Sequence, residues 1–159
     1  MGKVKAIPEG YHVVTPYLTL RNAAQAIEFY KSAFGAEQTV RMDGPDGKVM
    51  HAEIRIGDSV VMLGEESPQM GNNSPQTLGG TTAGLMIYSE NVDQAFERAV
   101  KAGAKAVTPP TDMFWGDRYG TLTDPFGHKW SLGQHIRDVP PEEMAKAQEE
   151  WMKQQQQSK

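Results

Sequence analysis

The sequence predicts an α+β fold made of two copies of one strand–helix–strand–strand–strand unit (βαβββ), followed by a C-terminal helix. Three observations predict it. TLTDPFGHKWSL (Thr121–Leu132) reads as strand, tight turn, strand, with Asp124, Pro125 and Gly127 supplying the turn chemistry. HAEIRIGDSVVML (His51–Leu63) has the same build about 70 residues earlier, the mark of an internal duplication. The segments ahead of the two hairpins repeat as well: AQAIEFYKSAFGA (Ala24–Ala36) overlays DQAFERAVKAGA (Asp93–Ala104) with one residue dropped.

The elements follow in order. Residues 1–10 form a short lead-in, and 11–64 are expected to be the first module. Its first strand is expected over Val13–Leu20, and its helix is expected to begin at an Asn22 N-cap and close at Gly35, which tolerates the left-handed backbone. Three strands follow over Glu37–Met42, Lys48–Ile56 and Ser59–Leu63, the first two joined by a turn at Asp43–Gly47. Residues 65–82 are a polar linker rich in Gly, Ser, Pro and Asn, long enough to cross between modules. In the second module, 83–136, the first strand is expected over Leu85–Tyr88 and Asn91 is the expected N-cap. The next strand, Lys105–Thr108, is expected to stop at Pro109 and Pro110. Residues 137–159 read as a helix opened by prolines and acids, with an apolar stripe of Met144, Ala147 and Trp151, and a glutamine tail that frays.

Composition narrows the function. The 159 residues carry 16 basic and 20 acidic side chains with no basic cluster, which argues against a nucleic-acid or anionic-membrane partner. There is no cysteine, so disulfides, thiolate metal sites and a cysteine nucleophile are excluded. No apolar run is long enough to span a membrane, and the N-terminus lacks a signal-peptide core, so a cytoplasmic protein is expected. No Gly-rich loop follows a strand with a downstream acid, so a nucleotide-type cofactor site is not expected.

Two stretches carry candidate chemistry. His51, Glu53 and Arg55 alternate along a strand and share one face. His51 and Glu53 either form an acid/base pair or two metal ligands, or they mark the solvent face of a half-buried strand. Trp115, Arg118 and Tyr119 combine an indole, a guanidinium and a phenol ahead of the DPFG turn. Arg118 either anchors an anion with the two aromatics as walls, or pairs locally with Asp117. His128 reads as a hairpin-tip residue, and His12 and His135 as strand-end residues that cap backbone groups.

TPYLTLRNAAQAIEFYKSAFGA (Thr15–Ala36), HAEIRIGDSVVML and WGDRYGTLTDPFGHKWSLGQHIRDVPPEEM (Trp115–Met144) together resemble the vicinal oxygen chelate superfamily of glyoxalases, bleomycin-resistance proteins and extradiol dioxygenases, in particular its PhnB-like branch. The resemblance implies two modules around a concave cavity, with metal ligands on four strands. Those positions fall on Thr15, Met62, Gly84 and Ser131, which are not imidazole or carboxylate donors, so no metal and no other cofactor is expected. The resemblance then implies a cavity floor of Thr15, Met62, Gly84 and Ser131, with Trp115, Arg118 and Tyr119 lining it, and a homodimer that completes each cavity. Met62 suits a promiscuous pocket. Three functions remain open. The first is a binding protein for a small anionic or planar molecule. The second is an enzyme of lyase, isomerase or dioxygenase type that uses His51 and Glu53. The third is a structural dimer with a vestigial cavity.

Overall fold

The computed structural model describes residues 4–157. Met1–Lys3 of the expected lead-in and Ser158–Lys159 of the expected tail lie outside the described residues. The first sheet comprises β1 (Tyr17–Leu20), β2 (Glu37–Asp43), β3 (Val49–Ile56) and β4 (Ser59–Glu65), in the order β1-β4-β3-β2, with helix α1 (Ala23–Phe34) following β1. A short helix α2 (Pro75–Leu78) lies in the linker. The second sheet repeats the plan with β5 (Gly84–Tyr88), β6 (Lys105–Asp112), β7 (Asp117–Thr123) and β8 (Lys129–His135), in the order β5-β8-β7-β6, and α3 (Val92–Ala102) follows β5. In each sheet the first strand runs parallel to the fourth and the other pairings are antiparallel. Helix α4 (Pro141–Gln157) closes the chain.

Alternation decides which face each sheet buries. Ala52, Ile54, Val61 and Leu63 in the first sheet, and Leu122, Trp130 and Leu132 in the second, are buried on the side that meets α1 and α3. The two helices pack on each other, and all these residues join one core. Tyr30 of α1 lies 5.4 Å from the Trp130 ring, and Phe34 lies 4.6 Å from it. The helices therefore occupy the inner layers, and the helix-free faces of the two sheets form the outside of the chain.

Asp124 of the DPFGH turn locks the modules together. It is buried and accepts four hydrogen bonds: from the Tyr30 hydroxyl (2.7 Å), the Trp130 indole (2.9 Å), and the backbone N–H groups of Phe126 and His128 (2.9 Å each). His128 is also buried, its Nε2 3.1 Å from the Thr19 carbonyl of β1, so it ties the second module's hairpin to the first module.

The structure departs from the sequence expectations at several elements. The first strand begins at Tyr17 rather than Val13; Pro16 has no N–H for a ladder, and Val13 and Val14 are 84% and 82% exposed. Asn22 does not cap α1 with its side chain. It takes φ 64°, and the Glu65 carboxylate instead accepts the N–H groups of Asn22 and Ala23 at 2.9 and 2.8 Å. Asn91 does cap α3, accepting the Gln94 N–H at 3.0 Å. Pro109 and Pro110 do not end β6, because it is an edge strand and its pairing is irregular around them. The linker is anchored: Glu66 accepts from Arg21 (2.7 Å), the Thr77 hydroxyl (2.6 Å) and the Ser74 N–H (3.0 Å). The glutamine tail through Gln157 continues α4. Met144 and Ala147 are half-buried, and Trp151 meets Phe114 at 5.9 Å while staying 40% exposed.

Candidate functional site

On the helix-free face of the first sheet, alternation along β3 brings His51, Glu53 and Arg55 to one side. The register sets Met62 beside Glu53 and beside Tyr17. The Tyr17 phenol lies flat across β4 because Gly64 leaves room: a Cβ there would sit 2.8 Å from its oxygen. That oxygen is 3.5 Å from Nδ1 of His51, and Nε2 of His51 is 3.3 Å from Oε1 of Glu53. The Tyr11 hydroxyl donates to the other Glu53 oxygen. The bond to this carboxylate raises the Tyr11 pKa. Glu53 is buried with one partner on each carboxylate oxygen, and Val40 and Met42 of β2 continue the face alongside it.

The second sheet repeats the device with different residues. Met86 lies across Gly133, where a Cβ would meet its methyl group at 2.3 Å. Tyr119 and Ser131 share a hydrogen bond of 2.9 Å. Tyr88 donates to Asp117 at 2.9 Å, and Nδ1 of His135 lies 2.8 Å from the same carboxylate. Nε2 of His135 is 3.0 Å from Asp138, and these two carboxylates, Asp117 first, raise the His135 pKa. Bonding to Asp117 likewise raises the Tyr88 pKa. Trp115 stands at the end of this face, edge-on to Tyr119 at 5.8 Å.

The predicted site residues thus fall into two sets. His51, Glu53 and Met62 are neighbours on the first sheet, with Thr15 just before β1, its hydroxyl donating to the His12 carbonyl at 3.1 Å. Tyr119, Ser131 and Trp115 are neighbours on the second. Within one chain α1 and α3 separate the sets. The expectation that Arg118 lines the cavity is not met. It is on the helix side of β7, forked onto Asp93 of α3 (2.8 Å twice) and bonded to Asp112 of β6 (2.9 Å). Asp117, its expected partner, points to the opposite face, because neighbours on a strand alternate. His135 binds carboxylates rather than capping backbone groups.

Sequence reasoning missed Tyr11, Tyr17 and Tyr88 as site residues. For Tyr17 the available signal is its place two residues after Thr15 in the expected first strand, where alternation would put both on one face. A cleft of about 790 Å³ opens between the modules, lined by Val14, Phe34, Ile56, Leu85, Ile87 and Arg98 among others, and contains neither His51 nor Glu53.

The four positions that the resemblance assigns to a metal are Thr15, Met62, Gly84 and Ser131. Two hydroxyls, a thioether and a glycine offer no imidazole or carboxylate, and Ser131 already bonds Tyr119. Among the described residues no three His, Asp or Glu side chains converge as a metal site, so His51 and Glu53 stand as a pair.

Two βαβββ sheets of this order, with their helices inside and polar clusters on the helix-free faces, define a glyoxalase-like protein. Residues 11–132 match the model of the Glyoxalase/Bleomycin resistance protein/Dioxygenase superfamily, and the chain belongs to it. The uncharacterized protein Rv0887c of Mycobacterium tuberculosis is 47% identical over 137 residues, covering 84% of this chain and 81% of that protein. TioX from Micromonospora sp. ML1 is 27% identical with a TM-score of 0.62, over 77% of this chain and 98% of that one. The PhnB protein from Bacillus cereus has a TM-score of 0.61 over 77% and 99% of the two chains; at 19% identity it is a likeness of fold alone.

Proposed function

We propose that the protein is a homodimeric small-molecule-binding member of the superfamily, of PhnB-like type. The helix-free face of the first sheet in one subunit meets that of the second sheet in its partner, and the ligand lies between them. The observation that carries this reading is the state of these faces. Tyr17, Met42, Met86 and Tyr88 are 40–62% exposed on them, yet each face also holds an ordered cluster of carboxylate, imidazole and phenol. An apolar surface around inward-bonded polar groups is the composition of a ligand pocket seen with half its wall missing. Superfamily members commonly form dimers or bind small molecules.

Four of the five tyrosines, Tyr11, Tyr17, Tyr88 and Tyr119, bond to polar groups at these faces, which favours a ligand with a planar part. The test is sedimentation velocity at micromolar protein combined with a thermal-shift screen of planar small molecules. Dimer and a saturable stabilisation that Tyr17→Ala removes support the reading; a monomer that binds nothing contradicts it.

A specific observation supports a second reading, an enzyme. A buried carboxylate 3.3 Å from an imidazole on a ligand-facing surface is poised to move a proton at the ligand. Turnover of any superfamily substrate, lost in a folded His51→Gln variant, would establish it.

A further inference from the structure

We propose that Arg55 is the residue that anchors the ligand, and that the ligand class is a planar anion of the aromatic-carboxylate kind. The proposal rests on the binding reading above. Arg55 shares the helix-free face with His51 and Glu53, one alternation further along β3, between Glu37 of β2 and Val60 of β4. It is half-buried, and among the described residues it forms no ion pair and no hydrogen bond, not even with the adjacent Glu37. Every other arginine of the chain has a polar partner: Arg21, Arg41, Arg118 and Arg137 are paired with carboxylates, and Arg98 binds the carbonyls of Lys31 and Ser32.

Its guanidinium lies against the backbone of Gly10. Gly10 takes φ +82°, and a Cβ there would lie 3.3 Å from Nη2 of Arg55, so the plane rests against a backbone that only glycine leaves open. Its charge is felt at the Tyr11 hydroxyl, where it opposes the effect of Glu53. Glu53 is occupied by Tyr11 and His51 and leaves the guanidinium's donors unused.

When a second copy covers this face, an unpaired guanidinium loses water and requires an anionic partner. A carboxylate matches its fork with two parallel hydrogen bonds, and the conjugated ring attached to it would lie along the Tyr11 phenol.

The experiment compares benzoate with benzamide, two probes of nearly equal shape, by calorimetric titration of the dimer. The wild type is expected to prefer benzoate by about tenfold to a hundredfold, the range for hydrogen bonds to a charged group. Arg55→Met abolishes that preference while retaining benzamide binding, Arg55→Lys keeps a reduced preference, and Arg118→Met leaves it unchanged. Sedimentation should show all variants dimeric, and melts should show them folded. An unchanged benzoate preference in Arg55→Met overturns the proposal. So does a dimer lost in Arg55→Met, since the anion facing Arg55 would then belong to the other subunit. Benzamide bound as well as benzoate by the wild type overturns this proposal alone; binding of neither overturns the pocket reading with it.

Discussion

Asp124→Asn tests whether the DPFGH turn joins the modules. The amide keeps one oxygen, which still accepts from the Phe126 and His128 N–H groups, and turns its NH2 toward Tyr30 and Trp130. The Tyr30 hydroxyl can rotate and become an acceptor. The Trp130 indole N–H is donor-only and 1% exposed, so it is left buried without a partner. An orphaned donor costs about 1–3 kcal/mol, and two backbone bonds change from charged to neutral acceptors, so the total is about 2–4 kcal/mol. In a chain of this size that lowers Tm by about 4–16 °C. Tyr30→Phe removes one bond and leaves Asp124 three donors, costing about 1–2 kcal/mol. The double variant should lose less than the sum. Equilibrium urea unfolding followed by circular dichroism and tryptophan fluorescence, at fixed protomer concentration, measures all three. Asp124→Asn within about 0.5 kcal/mol of wild type, or milder than Tyr30→Phe, refutes the reasoning.

Other outcomes follow from the caps and the titrating groups. Asn91→Ala should cost about 1 kcal/mol in urea melts, whereas Asn22→Gly should be neutral within a few tenths or stabilising, because Asn22 holds a left-handed backbone and caps nothing with its side chain. Glu66 is held at about 2 by the Thr77 hydroxyl, then Ser74 and Arg21, against an ordinary 4.5. Its stabilisation is present above 4.5 and is lost as pH falls from there toward 2, so the difference in urea midpoint between wild type and Glu66→Gln should shrink over that window. His135 is raised above 6.5 by Asp117 and then Asp138, so its contribution is complete below 6.5 and disappears as pH rises through the folded value. Urea midpoints of His135→Gln should lack that alkaline decline, and the ring titration followed by NMR should give a folded value above 6.5.

The duplicated fold was legible because two signals repeat in phase: a 3.6-residue apolar period ending at Gly35 and Gly103, and a two-residue period through each hairpin. What local pattern could not give was the third dimension. Asn22 has the chemistry of a cap, but Glu65, which caps α1 in its place, arrives from 43 residues away. Pro109 and Pro110 break a strand only where a neighbour needs their N–H, and the edge position of β6 removes that need. The motif groups Arg118 with Trp115 and Tyr119, but alternation gives Tyr119 and Asp117 one face and Arg118 the other, where it meets Asp93 of α3. His51 and Glu53 were found by alternation, but their tyrosine partners come from β1 and the segment before it, which no spacing within β3 reveals.

The most direct test of the proposed shared pocket is subunit complementation. One variant carries His51→Ala and Glu53→Ala, the other Tyr119→Phe and Ser131→Ala, with distinct tags so that the mixed dimer can be isolated after co-expression. Each variant alone should bind the planar probe weakly at every site. In the mixed dimer one pocket carries all four changes and the other none, so the account predicts one wild-type-affinity site per dimer by calorimetry. A mixed dimer with no restored site, or a chain that stays monomeric and binds through residues of a single subunit, would contradict it.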